Sequence, residues 1–458
     1  MIRRRWPLVP LVLLAALWLG AAGPAPVFHR LPNGLEVVLL ENHAAPVTAT
    51  YFVVKIGVRG EDGASCGMSH MLEHLLFNGT EKRSQAQLYE DADLLGAYNN
   101  AFTREDYTCY LMVAPRENFA GVLELQADMI FHSVLPADKL EKERGIILEE
   151  LAKDRNSPDY GAESALQEHV FAGTPYALPT VGTEESIRKM PRELIQRYYQ
   201  TYYVPNNITL LVVGDFSAPA ALKLITDRLG GYPTKPLPEA PAMPDLFRAP
   251  APKVAATERP ASQVVITLPA PAPGAPDWPA FEAARRWIED SAASPLAALM
   301  KTGDIESFSG GTITNRDYSL YQITLEFGDA APRTAQQAEA LAAKIRTMAV
   351  LDPPPELLRT YQLKAELDEI YNLENIHYLG MWKGQLLADL PVERLPEFFG
   401  DSLVKRIQAV APAEAGGQAR KLLGWERPLV TVLNGQPSDK AGKPGMPAMP
   451  GMPKMPPR

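Results

Sequence analysis

Two histidines, His70 and His74, bracket a glutamate, Glu73, in the stretch Ser69-His70-Met71-Leu72-Glu73-His74-Leu75-Leu76-Phe77-Asn78-Gly79-Thr80. The apolar residues between them suit a helix. On a helix the two imidazoles turn to one face, with Glu73 beside them. Neutral imidazoles one turn apart can hold zinc at about 2.0 to 2.1 Å and leave a coordination position for water. Glu73 is then within reach of that water. A lone histidine on a half-apolar segment is more often packed core or surface, and that plainer reading is kept for His29, His43, His132, His169 and His377.

A third ligand must come from another rigid element. In Glu141-Lys142-Glu143-Arg144-Gly145-Ile146-Ile147-Leu148-Glu149-Glu150-Leu151, Glu143 and Glu150 are two helical turns apart and share a face, while Ile146, Ile147 and Leu151 pack inward. Glu141 and Glu149 read as solvated residues. Glu150 is the expected ligand, and His70, His74 and Glu150 would bind one zinc ion per chain.

The inverted His-x-x-Glu-His with a downstream glutamate resembles the pitrilysin/insulinase family of zinc peptidases. Phe77-Asn78-Gly79-Thr80, Glu143-Arg144-Gly145 with Glu149-Glu150, and Asn99-Asn100-Ala101-Phe102-Thr103 followed by Asp106 and Thr108-Cys109-Tyr110 are similar to that family's segments. So are Pro175-Tyr176, Gly182-Thr183, and Tyr202-Tyr203-Val204-Pro205-Asn206-Asn207 leading to Val212-Val213-Gly214-Asp215. The likeness spans nearly all of residues 27–235. It implies an α+β fold of two related domains, each a mainly antiparallel sheet packed with helices, together forming a clam-like half-shell. It also implies a strand at Asn100 and Ala101 that lines the site and accepts an extended peptide substrate as an added strand.

Such a site hydrolyses peptide bonds. Zinc lowers the pKa of its bound water towards about 7 and polarises the carbonyl. Glu73 takes the water's proton as general base and returns it to the leaving amine as general acid. Glu143 is read as a catalytic support that orients His74 or the ligand set.

One departure from the family stands out. Its complete sites often draw an arginine and a tyrosine from the second half, in a segment similar to Leu-Arg-Glu-x-x-Gly-Leu-Ala-Tyr. Here that segment reads Leu299-Met300-Lys301-Thr302-Gly303-Asp304-Ile305-Glu306-Ser307-Phe308 and holds neither. Lys301, Arg316, Tyr318 and Tyr321 are weaker candidates. The expectation is therefore a homodimer, or a heterodimer with a related family subunit that supplies the missing pair. A non-catalytic relative acting in binding or assembly is the alternative, and the intact His70, Glu73, His74 and Glu150 speak against it.

Around this site the chain divides as follows. Arg3, Arg4 and Arg5 precede an apolar run from Trp6 to Leu19 and small residues at Gly20-Ala21-Ala22, so residues 1–22 read as a secretory signal peptide. The expected location is periplasmic or secreted, or membrane-anchored if the segment stays uncleaved. Losing those three arginines would take the formal charge from −9 to −12, which argues against nucleic acid as a partner. With only Cys66 and Cys109, no disulfide framework holds the fold; an oxidised pair and two buried thiols both remain open. Residues 27–235 form the expected zinc-binding domain, 236–260 a proline-rich linker, 261–433 a related second domain, and 434–458 a disordered tail rich in proline and methionine.

Overall fold

The computed structural model describes residues 25–436, so the signal-peptide reading and the tail beyond residue 436 lie outside the described residues. Secondary structure begins with β1 (Val27–Arg30), β2 (Glu36–Glu41), β3 (Val47–Val54), α1 (Met68–Leu76), α2 (Gln85–Leu94), β4 (Tyr98–Thr103) and β5 (Thr108–Pro115). There follow α3 (Phe119–Phe131), α4 (Ala137–Arg155), α5 (Tyr160–Val170), α6 (Glu184–Lys189), α7 (Arg192–Tyr202), β6 (Ile208–Gly214) and α8 (Ala218–Leu229). β2, β3 and β6 are near-continuous apolar runs because both of their faces are covered. The ends of the helices follow local chemistry. Ser84 and Gln87 close a capping box on α2, and Glu61 accepts the Gly67 and Ser69 N–H groups, both at 2.7 Å, at the start of α1.

The second half contains β7 (Lys253–Ala256), β8 (Gln263–Pro269), α9 (Trp278–Ile288), α10 (Ala297–Lys301), β9 (Ser307–Thr314) and β10 (Ser319–Glu326). It closes with α11 (Ala335–Arg346), α12 (Pro355–Glu374), α13 (Leu379–Asp389), α14 (Asp401–Gln408), α15 (Pro412–Leu423) and β11 (Leu429–Asn434). The first sheet runs β1-β2-β6-β3-β5-β4 and the second β7-β11-β8-β10-β9. Without β1, the two share one plan. A parallel pair (β2 with β6, β7 with β11) leads into three antiparallel pairings in the same chain order. The fold is thus α+β with two related units, as expected.

Residues 253–256 correct the reading of 236–260 as a plain linker. They carry no proline, so they can pair, and they add β7 to the second sheet. Phe247, in the same stretch, is buried against Phe171, Tyr176 and Leu320. Asn434, the first residue assigned to the tail, ends β11. Cys66 and Cys109 are both buried and free.

The two units meet extensively. One face of the first sheet packs on α1, α3, α7 and α8, and the other receives Leu379 and Leu387 of α13 together with Leu395 and Phe398. α13 can approach so closely because residues 380 and 384 are glycine: a Cβ at Gly380 would sit 2.1 Å from the Tyr51 ring, and one at Gly384 2.4 Å from the Tyr107 hydroxyl. Tyr51 then donates through its hydroxyl to the Ile376 carbonyl. Among the described residues no helix is long and apolar enough to cross a membrane.

Candidate metal centre

α1 buries Met68, Met71, Leu72, Leu75 and Leu76 in the core, which leaves His70, Glu73 and His74 on its opposite side. α4 buries Leu140, Ile147 and Leu151 and so turns Glu143 and Glu150 towards α1. Arg144 fixes α4 against the end of α6 by donating to the Ile187 and Met190 carbonyls.

The structure brings His70, His74 and Glu150 together, with one ligand atom from each all within 4.8 Å of one another. The Glu150 Oε2 lies 3.8 Å from His70 Nε2 and 3.7 Å from His74 Nε2. Ligands at zinc's tetrahedral bond lengths stand about 3.3 Å apart, so Glu150 is within about half an ångström of that spacing from each imidazole. The donor chemistry fits as well. Burial, helped by neighbouring His74, pushes the His70 pKa down to about 3 and keeps its imidazole neutral, as a ligand must be. For His74, burial pulls the pKa down, but the Glu143, Glu150 and Glu73 carboxylates outweigh it and raise the pKa.

Glu143 is buried and its Oε2 lies 3.0 Å from His74 Nδ1. Its other oxygen accepts from Asn78 Nδ2 at 3.1 Å. The chain of contacts goes on outward. Asn78 Nδ2 also donates to the His74 carbonyl, Gln85 Nε2 donates to Asn78 Oδ1 at 2.7 Å, and Lys139 Nζ donates to Gln85 Oε1 at 2.9 Å. His70 has no such hold on its Nδ1, which is buried without a partner.

Glu73 faces β4, where its Oε2 accepts from Thr103 Oγ1 at 2.6 Å. Burial raises its pKa to about 7, with Thr103 and His74 opposing. A carboxyl at that value suits a group that takes and gives back a proton near neutrality. Thr103, Asn78, Gln85 and Lys139 had no assigned role in the sequence reading. Asn78 carried a local signal, since it follows His74 by one turn; the Thr103 contact is made only once a distant strand edge meets α1.

Asn100 and Ala101 lie on β4, the last strand of its sheet, so one edge of the strand is open. The Ala101 N–H donates to Asn100 Oδ1 at 2.9 Å, and Asn100 Nδ2 donates to the Tyr98 hydroxyl at 3.0 Å. Three of the four candidates from the second half are bonded or buried elsewhere. Arg316 donates to the Ala388 carbonyl, Tyr318 to the Pro244 carbonyl, Tyr321 is core, and Lys301 is exposed on α10.

The family model described as Insulinase (Peptidase family M16) matches residues 36–184, and the one described as Peptidase M16 inactive domain matches residues 189–364. An uncharacterized zinc protease of Bacillus subtilis is 30% identical over 207 residues, 45% of this chain and 50% of the relative. Subunit 1 of the mitochondrial cytochrome b-c1 complex of Homo sapiens is 30% identical over 203 residues, 44% of this chain and 42% of the relative. The chain thus spans about half the length of the curated relatives it matches. Among solved structures, a protease from Helicobacter pylori has the same fold, with a TM-score of 0.76 at 21% identity over 90% of this chain and 99% of that one.

Proposed function

The chain belongs to the insulinase family of peptidases, family M16, and from that premise we propose that it is a zinc-dependent peptidase acting on unstructured peptides. The observation that carries this reading is the meeting of His70, His74 and Glu150 from two helices, with the buried Glu73 beside them. Zinc held by those three side chains would supply a Lewis acid and a water of lowered pKa. Glu73 would take the proton of the attacking water and deliver it to the leaving amine, held for both roles by the Thr103 hydroxyl. Glu143 would keep the His74 ring in line, and the open edge of β4 at Asn100 and Ala101 would pair with the substrate backbone.

An arginine and a tyrosine for the developing oxyanion would come from a second, related subunit that carries the pair this chain's segment lacks. Arg316 and Tyr318 bond to other partners and Tyr321 is fully buried in the core of the second unit, which supports this division. The segment from Arg3 to Ala22 supports export.

The test is metal content together with turnover. Glu73→Gln should retain zinc and lose about a hundredfold or more in kcat, the usual worth of a positioned acid–base group. A variant that cleaves as well as the parent would refute the role of Glu73. Full turnover by the isolated monomer would refute the need for a partner. A second reading, a subunit kept for assembly, draws on the relative in the cytochrome b-c1 complex; it predicts a purified protein without bound zinc and no cleavage when zinc is added.

A further inference from the structure

Side chains of β4 alternate between two faces. Asn99, Ala101 and Thr103 stand opposite Met112, Tyr110 and Thr108 of β5, on the side where Thr103 meets Glu73. Tyr98, Asn100 and Phe102 stand opposite Val113, Leu111 and Cys109, on the side covered by α13. On that second side a cavity of about 300 Å³ opens between Tyr98, Asn100 and Phe102 of the strand and His377, Tyr378 and Met381 at the turn into α13. This is near the lower end of small-ligand pockets, room for a single large side chain.

The rim is aromatic and joins the two units. The Tyr98 ring lies 4.8 Å from His377, His377 lies 4.7 Å from Tyr378, and Tyr378 lies 5.9 Å from Trp382, which packs 5.8 Å from Tyr371. Tyr98, Trp382 and Tyr371 remain 45%, 37% and 57% exposed. No carboxylate lines the cavity, and the charged residue at its wall is Arg104. The wall is rigid, because Gly380 packs against Tyr51 and Tyr51 holds the Ile376 carbonyl directly before His377.

We propose that this cavity is a specificity pocket for an aromatic or large apolar side chain of the peptide, shared between the strand of the first unit and the turn of the second. The proposal rests on the reading of β4 as the edge that receives substrate. A peptide paired there sends every second side chain to the α13 side. Rings around the cavity favour an aromatic guest, and Arg104, with no carboxylate in the cavity lining, disfavours a cationic one.

Binding separates this pocket from catalysis. Fluorescent peptides differing at one position, carrying Phe, Ala, Arg or Glu, are titrated by anisotropy into the zinc-loaded Glu73→Gln protein, with the position moved along the peptide. At alternate positions Phe should bind about tenfold or more tightly than Ala, and Arg no better than Ala. Met381→Trp, which fills the cavity, and Tyr378→Ala, which opens its wall, should each bring the Phe-to-Ala ratio near one. Equal affinities at every position, a preference for Glu, or a Phe preference that both variants keep would overturn the pocket. A Phe preference that both variants lose, in a protein whose parent form cleaves no peptide, would uphold the pocket and refute only the hydrolytic reading.

Discussion

The two histidines of the centre are held in different ways. His74 has its Nδ1 against Glu143, whereas the Nδ1 of His70 is buried with no partner and its ring is fixed by packing alone. The His74 ring should therefore respond to changes at Glu143. Outer partners of ligating histidines are typically worth about 10–100-fold in metal affinity. Glu143→Ala is expected to weaken zinc by that amount in a chelator competition, with a smaller loss for Glu143→Gln, which keeps an acceptor oxygen. Unchanged affinity in both would leave Glu143 as packing. At this scale His70, Glu73 and His74 were legible from spacing on a single helix, and Glu150 from its two-turn separation from Glu143. Thr103 was not, because thirty residues and a strand crossing separate it from Glu73.

Among the elements, α1, α2 and α4 are tied by the polar line from Glu143 through Asn78 and Gln85 to Lys139. Asn78→Ala removes the donor to Glu143 and leaves Gln85 without its acceptor. A buried polar group left unpaired costs about 1–3 kcal/mol, so urea denaturation should show a lower midpoint and chelator competition a weaker zinc site. Gln85→Ala, further from the ligands, should move both less.

α13 offers a sharper contrast. A methyl at Gly380 would run into the buried Tyr51 ring, whereas at Gly417, inside α15, nothing lies within 4 Å of a new Cβ. Gly380→Ala is expected to destabilise by about 1–3 kcal/mol or more through overpacking, and Gly417→Ala to stabilise by about 0.5–1 kcal/mol through helix propensity. Opposite shifts in the urea midpoint check the pair; an unchanged or raised midpoint for Gly380→Ala would show that α13 is not clamped as described. In the first half α1 and α4 were legible from their apolar residues, and β4 from the family resemblance. The helices after residue 330 were not. α12 carries Leu363, Leu367, Ile370 and Tyr371 exposed on its outer face while Leu358, Tyr361 and Ala365 are buried, so its apolar residues circle the helix and no single stripe shows.

For the molecule as a whole, the second unit serves the first in a manner invisible along the chain. α13 closes a face of a sheet whose last strand along the chain, β6, ends at Gly214, well before α13 begins at Leu379, and a polar cluster seals the junction. Arg59 pairs with Asp317 at 2.5 and 3.1 Å, and the Tyr176 hydroxyl contacts both Asp106 and Asp317 at 2.7 Å. Asp106 also accepts from the Arg316 N–H and from Gln385, which reaches Asp389 as well. Asp389 ends α13 with one carboxylate oxygen buried and unpartnered. Burial first, and then the Asp106 carboxylate, raise its pKa from 3.8 to about 7. A carboxyl raised in the folded state contributes stability that is complete below its unfolded pKa and is lost as pH climbs through the folded value. The window therefore runs from about pH 4 to about pH 7, and the junction should be tighter at the acid end. Asp389→Asn has no proton to lose there. Relative to the parent, the variant should gain stability as pH rises, by on the order of 3 kcal/mol across the window. Urea midpoints of both proteins at pH 5 and pH 8 measure the difference and cancel every group they share. An equal offset at the two pH values would mean that Asp389 is ionised at the junction throughout, with Arg316, 3.7 Å away, as its counter-charge.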